Sequence, residues 1–445
     1  MRKFFPNKQR ARQIMAISVP IIGAMISQNI LNLVDSAMVG HLGSAALAAV
    51  GVSNFLNFMA VAIFMGLATG VQVIVARRIG ENRPHEAAVP LNGSLLLNLL
   101  FALPVSVLLY HLAPWLITFV IEDPEVVAQA QPYIQMRLAG IAAIACNFCF
   151  RGFWSGIKKT HYYMWVLFAM HALNILLNYV LIFGNFGFPE LGILGAGLGT
   201  TISMVLGFFC HFILCMKKGR IYGFMTGLPS LSSIKNMLSL SVPASLQQFF
   251  FSAGFSMLFW IIGQVGTDSL AAASVLTNLA LVSILPCIAF GMSSSTLVSE
   301  SLGRNEPDEA YRWAWEVSSI AILFISSISI IILLFSEPIL SIFLHEQAAL
   351  EVAKLPLLIT AFGLPLEALG MVMMSSLMGA GATKTTLQIS LGMQWLIFLP
   401  LAWFVGPVSG LGITAIWIVQ ALYRSTQTMI YAFFWKRKTW VGISV

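Results

Sequence analysis

The chain has 445 residues, of which 58% are hydrophobic and 9% charged, and its formal net charge is +7; the mean hydropathy is +0.87. Soluble domains carry roughly a quarter of their residues as charges, so this composition excludes a water-covered globule and makes the chain an integral membrane protein. Nucleic acid is excluded as a partner as well, because the basic residues sit in short loops between apolar runs and form no single patch.

In chain order the apolar runs cover 14–39, 47–76, 88–110, 130–152, 161–183, 192–216, 235–262, 270–300, 311–336, 352–378, 386–405 and 409–435. They number about twelve, and a helix of about 20 apolar residues crosses a hydrocarbon core roughly 30 Å thick. No soluble domain fits between them. The segment "APWLITFVI" (113–121) reads as an interfacial piece. The first run is longer than the apolar region of a cleavable signal, so no signal peptide is expected. With the N-terminus in the cytoplasm, all Lys and Arg except Arg137, Lys354 and Arg424 fall on one side. Glu122, Asp123, Glu125, Glu190, Asp268, Glu337, Glu346 and Glu351 fall on the other. This positive-inside pattern predicts a multi-pass chain with both termini cytoplasmic. Cys146, Cys149, Cys210, Cys215 and Cys287 all lie in apolar runs, where they serve as small packing residues.

The chain repeats itself. A shift of 223 residues lays "SVP" at 18–20 on "SVP" at 241–243, Gly40 on Gly263, Gly43 on Gly266 and "LAA" at 47–49 on "LAA" at 270–272. It also lays Gly80, Asn82, Pro84, Glu86 and Ala87 on Gly303, Asn305, Pro307, Glu309 and Ala310. A shift of 225 then matches Gly156, Lys159 and Thr160 with Gly381, Lys384 and Thr385. The predicted fold is therefore all-α: an N-terminal six-helix lobe over 1–216, a cytoplasmic linker over 217–234 and a homologous C-terminal lobe over 235–445. Six spans is an even number, so the lobes share one orientation and are related by a pseudo-two-fold axis along the membrane normal, around a central cavity.

Against this apolar background a few polar side chains stand out. Asp35, in "NLVDSAMVG", is a carboxylate well inside the first span, and an ionisable group there is by default a hypothesis about ion or substrate movement. Gln28, Asn32 and Asp35 follow i, i+4, i+7 spacing and share one helical face; His171, Asn174 and Asn178 share a face of the fifth span by i, i+3, i+7. Polar stripes facing lipid would go unsatisfied, so the two are expected to face each other. At the 223 shift Asp35 falls on Leu258, which puts the cation site in the N-terminal lobe. Glu367, in "GLPLEALG", is a second candidate acid whose counterpart at the 225 shift is Ala142, and Pro365 beside it predicts a locally broken helix. Pro20 and Gly23 are the expected bend points of the first span. Gly66 with Gly70, Gly152 with Gly156 and Gly195 with Gly199 are spaced for close helix contact. There is no Walker A pattern, no HExxH and no metal-ligand cluster, which predicts neither an ATPase nor another enzyme.

The "SVP" starts of the first and seventh spans, the "GRNEPDEA" loop after the eighth and the "GAGATKT" stretch after the tenth resemble the multidrug and toxic compound extrusion family. Asp35 with Asn174 and Asn178 is similar to its bacterial subgroup related to the DNA-damage-inducible protein F. The resemblance implies a cation-coupled antiporter of the bacterial inner membrane, a monomer without cofactor, whose partners are small-molecule drugs or toxic organic cations, protons and membrane lipids. It further implies alternating access in which protonation of Asp35 releases substrate. Glu367 resembles, as Glu in place of Asp, a tenth-span carboxylate of another branch. Some members have Asp where this chain has Asn178 and Thr where it has Ala196, groups that help to hold sodium; their loss favours protons, since a hard-cation cage needs several oxygen ligands. The alternatives are a sodium-coupled antiporter and a flippase for a lipid or lipid-linked precursor. The flippase is disfavoured by having only Arg137 and Arg424 to meet a phosphate.

Overall fold

Backbone in hydrocarbon has to satisfy its own N–H and C=O groups, and the apolar runs accordingly become helices. The computed structural model describes residues 5–227, 229–343 and 347–443. Its helices are α1 (Lys8–Gly40), α2 (Ser44–Gly80), α3 (Val89–Leu97), α4 (Leu103–Val120), α5 (Pro124–Ala139), α6 (Ile141–Gly156), α7 (Thr160–Phe183) and α8 (Gly192–Lys218). The second half adds α9 (Leu231–Gly263), α10 (Thr267–Gly303), α11 (Pro307–Leu334), α12 (Ser336–Phe343), α13 (Gln347–Gly379), α14 (Thr383–Leu391), α15 (Leu399–Trp403) and α16 (Gly412–Lys436). Wider π-helical turns over Asn98–Ala102 and Gly392–Phe398 join α3 to α4 and α14 to α15. There is no strand among the described residues.

Ten of these helical segments are long and apolar enough to cross a membrane, and eleven when α5 and α6, bent by 46° at Gly140, form one span. α16, the twelfth run of the expected series, is not among them. At 25 residues it is long enough, but Gln420, Arg424 and Gln427 lower its apolarity. The segment 113–121 is no separate interfacial piece: α4 runs on through Val120 as one helix, because nothing in "PWLITFV" breaks its hydrogen-bond ladder once Pro114 is passed.

The repeat is visible in the backbone. α1 and α9, and likewise α2 and α10, begin and end 223 residues apart. Left-handed turn residues recur at the same interval: Gly43 (φ 112°) with Gly266 (φ 153°), Asn82 (φ 57°) with Asn305 (φ 59°), Lys158 (φ 59°) with Gly381 (φ 95°). The last pair corrects the shift of 225. The turns after α6 and α13 also correspond at 223, since α6 ends at Gly156 and α13 at Gly379. The matching letters two residues further on coincide only in type, because Lys158 fills in one half the left-handed position that Gly381 fills in the other. The residue equivalent to Glu367 is therefore Ile144.

By packing, the chain divides into one unit of Val19–Ser245 and another of Met1–Ser18 with Leu246–Val445. Within the first, small residues let helices touch backbone to backbone. A Cβ at Gly152 would lie 2.3 Å from Ala68 O, one at Gly66 2.3 Å from Ser241 O, and one at Gly195 2.5 Å from Leu181 O. The bend at Gly140 frees carbonyls that serine and threonine side chains recover: Ser106 Oγ donates to Leu138 O at 2.6 Å and Thr201 Oγ1 to Met136 O at 2.7 Å.

Within the second unit α13 stays a continuous helix through Pro365, contrary to the break expected from the proline. Proline removes the N–H that would serve the carbonyl four residues earlier, Ala361 O. Ser329 Oγ on α11 donates to that oxygen at 2.5 Å, so the freed group is satisfied and the helix need not open. The start of α1 belongs to this unit too. Arg10 is ion-paired with Glu309 at 2.7 Å and with the fully buried Glu316, and its guanidinium lies 3.6 Å from the Trp313 ring centroid.

Candidate functional site

The expected facing of the two polar stripes is what α1 and α7 adopt within the first unit. Asp35, in the last quarter of α1, is half-buried, and Asn178 Nδ2 donates to its Oδ1 at 2.8 Å. Asn174, one turn earlier on α7, is 2% exposed and Asn178 1%. The Asn174 amide has two possible settings, since nitrogen and oxygen are assigned by their hydrogen bonds. With the nitrogen toward Asp35 it donates to Oδ1 at 3.1 Å, and its oxygen accepts from Thr200 Oγ1 at 3.1 Å and the Thr200 backbone N–H at 3.2 Å. With the oxygen toward Asp35, that oxygen accepts from Asn178 Nδ2 at 3.1 Å, and Thr200 Oγ1 donates to Ala196 O at 2.9 Å.

Further along the same faces, His171 bridges to α1 at two points: Nδ1 lies 2.9 Å from Ser27 Oγ and Nε2 3.1 Å from Gln28 Oε1. Gln28 Nε2 donates in turn to Asn32 Oδ1 at 3.2 Å. The five polar residues expected from spacing thus line one polar strip with Asp35, in two separate hydrogen-bonded groups: Asn174 and Asn178 with Asp35, and His171 with Gln28 and the exposed Asn32. α1 is a continuous helix through Pro20 and Gly23, and Gly23 packs on Met164 and Phe168 of α7.

Sequence reasoning missed several members of this site. Thr200 restores, one turn later on α8, the hydroxyl that is absent at Ala196. The signal for it was the Gly195/Gly199 stripe, which brings α8 against α7: a Cβ at Gly199 would lie 2.2 Å from Asn178 Oδ1. On α5, Tyr133 and Arg137 lie within electrostatic range of Asp35, and Tyr133 Oη donates to Asn54 Oδ1 of α2 at 3.0 Å. Asn178 Oδ1 is buried and has no hydrogen-bond partner among the described residues. Those residues also contain no group of three or more His, Cys, Asp or Glu placed to hold a metal ion.

Glu367 belongs to the second unit and is not part of this strip. It sits on α13, 3.6 Å from Arg424 Nε of α16. The internal repeat therefore builds two different polar sites: one carboxylate among amides in the first unit, an acid–base pair in the second.

A family model described as MatE matches residues 20–180 and 243–404, once in each half. A probable multidrug resistance protein NorM of Thermotoga maritima is 27% identical over 434 residues, spanning 94% of this chain and 91% of its own. The uncharacterised transporter YisQ of Bacillus subtilis is 24% identical, spanning 92% and 90%. Among solved structures, a transporter of the MOP superfamily from Pyrococcus furiosus superposes with a TM-score of 0.89 at 22% identity over 96% of both chains, a likeness of fold.

Proposed function

Since this chain belongs to the MatE family, we propose that it exports amphiphilic or cationic small molecules across the bacterial inner membrane, as a monomer with both termini cytoplasmic, in exchange for protons taken up on Asp35. Membership makes the chain a multi-pass transporter of a multidrug efflux family, not an enzyme. The observation that supports proton exchange on Asp35 is its carboxylate held by Asn178 Nδ2 at 2.8 Å next to an amide with two settings.

Ionised Asp35 accepts from both asparagines, and Asn174 is then held through its oxygen by Thr200. Asp35 protonated on Oδ1 donates to Asn174 Oδ1 instead; the Asn174 amide turns over and Thr200 returns to Ala196 O. The two protonation states have different hydrogen-bond patterns, and they differ in what α8 is bonded to. The ionised acid requires polar surroundings and keeps a site open for a cationic or amphiphilic group. The protonated acid is neutral and tolerates apolar cover, and α1 yields at Pro20 and Gly23, where a backbone donor is missing and steric limits relax. Drug and proton thereby compete for one unit, so each displaces the other.

Protons are favoured over sodium because a sodium cage asks for several oxygen ligands, whereas the nearest partners of the single carboxylate here are N–H donors. Efflux from vesicles under an imposed proton or sodium gradient, one at a time, tests the assignment. A proton gradient alone is expected to drive transport; transport driven only by sodium would overturn it.

A further inference from the structure

The second unit holds a polar cleft that the coupling scheme leaves unused. Thr360 and Glu367 of α13 line one side, Trp417, Gln420, Arg424 and Ser425 of α16 the other, around a cavity of 50 Å³. Both sets recur at helical spacing, so each is one face of its helix.

The polar groups here are incompletely used. Glu367 and Arg424 approach to 3.6 Å, an ion pair without a hydrogen bond. Trp417 Nε1 is engaged, donating to Thr360 Oγ1 at 3.0 Å. Gln420 Oε1 and Arg424 Nε, by contrast, are buried without a hydrogen-bond partner among the described residues. The guanidinium lies 5.6 Å from the Phe251 ring centroid and 5.2 Å from that of Tyr423, aromatic faces that suit a cation and supply no acceptor in the ring plane. One unspent donor with positive charge thus stands beside one unspent acceptor and a negative charge.

That arrangement selects among ligands. A lone cation drawn to Glu367 leaves Arg424 as an uncompensated charge in a low-dielectric setting, and a lone anion on Arg424 does the same to Glu367. A ligand head that carries both charges meets each with its opposite and leaves neither exposed. We infer that the Glu367–Arg424 cleft is a recognition subsite for the compact head of zwitterionic amphiphiles, with Arg424 Nε donating to a carboxylate and Glu367 and Gln420 Oε1 accepting from an ammonium. The volume admits the charged head, not a whole drug-sized molecule. The inference deepens the export reading and rests on it for the ligand's role as cargo, while the binding itself is independent of any gradient.

The test uses the full chain in lipid nanodiscs at neutral pH, titrated with three fluorescent probes that differ only at the head. These are Nε-dansyl-lysine, its methyl ester, which lacks the negative charge, and its α-N-acetyl derivative, which lacks the positive one. The zwitterion is expected to bind at least about tenfold more tightly than either derivative. The neutral double variant Glu367→Gln with Arg424→Gln, which leaves no unpaired buried charge, is expected to bring the three affinities to within about twofold of one another, and Gln420→Leu to weaken the zwitterion about fivefold. Equal affinities in the unaltered protein, failure of the zwitterion to bind, or a preference that survives the double variant would each overturn the inference. Efflux of a singly charged cation from vesicles, measured in parallel, reports separately on the export reading.

Discussion

Gly199→Ala on α8 perturbs the coupling site without removing a polar group. The new Cβ would lie 2.2 Å from Asn178 Oδ1, which falls 0.8 Å short of the 3.0 Å that real contacts respect. Asn178 is 1% exposed, so its amide has little room to turn except by sliding away from α8 and out of line with Asp35. Its Nδ2 donates to Asp35 at 2.8 Å; displacement by a similar amount takes it to the limit of hydrogen-bond reach, about 3.5 Å. A hydrogen bond to a charged group contributes about 1.5–3 kcal/mol, so proton-driven efflux should fall by a factor of about 10 to 150. The assay is the initial rate of ethidium efflux from proteoliposomes under a fixed pH gradient, with thermal melting to confirm an intact fold. Asn178→Ala should reproduce the loss, and the double variant should lose little beyond either single one, because both act through one bond. Efflux at the normal rate in Gly199→Ala, or losses that simply add, would refute the reasoning.

Asp35→Asn should abolish gradient-driven efflux while the protein remains folded and inserted. In the unaltered protein drug affinity should fall as pH falls, because protonated Asp35 no longer holds the site open; equilibrium binding of a fluorescent cation between pH 5 and 8 should show this dependence, and Asp35→Asn should show none. Adding sodium to a sodium-free assay at constant proton gradient should leave the transport rate unchanged. Arg10→Ala should destabilise the second unit by about 3 kcal/mol, since among the described residues it leaves the buried Glu316 carboxylate paired only with Arg312 at 3.5 Å; a lowered melting temperature in detergent with unchanged drug affinity is the expected result.

Some of the site was legible in the letters and some was not. The i, i+3, i+4, i+7 spacings placed Asp35, Asn174, Asn178, Gln28 and His171 on two helical faces, and the cost of exposing amides to lipid brought those faces together. Thr200 was hidden because a threonine in "GLGTT" has no polar stripe of its own, and its role depends on how closely α8 approaches α7 at Gly199. Arg137 was visible as an unusual intramembrane charge, but its nearness to Asp35 depends on the bend at Gly140.

The sequence by itself determined the class, the helices, the repeat and the identity of the isolated acids. All of these follow from local rules: hydrocarbon permits only self-satisfied backbone, and side-chain direction follows from helical period. Tertiary structure alone decided how each polar group is satisfied. Pro365 looked like a break until Ser329, distant in sequence, supplied the missing donor to Ala361 O. Glu367 was legible as a second candidate acid, but its distance of 3.6 Å from Arg424 was set only by how α16 packs on α13. A buried polar group has the character its partner confers, and when that partner comes from another helix, only packing can name it.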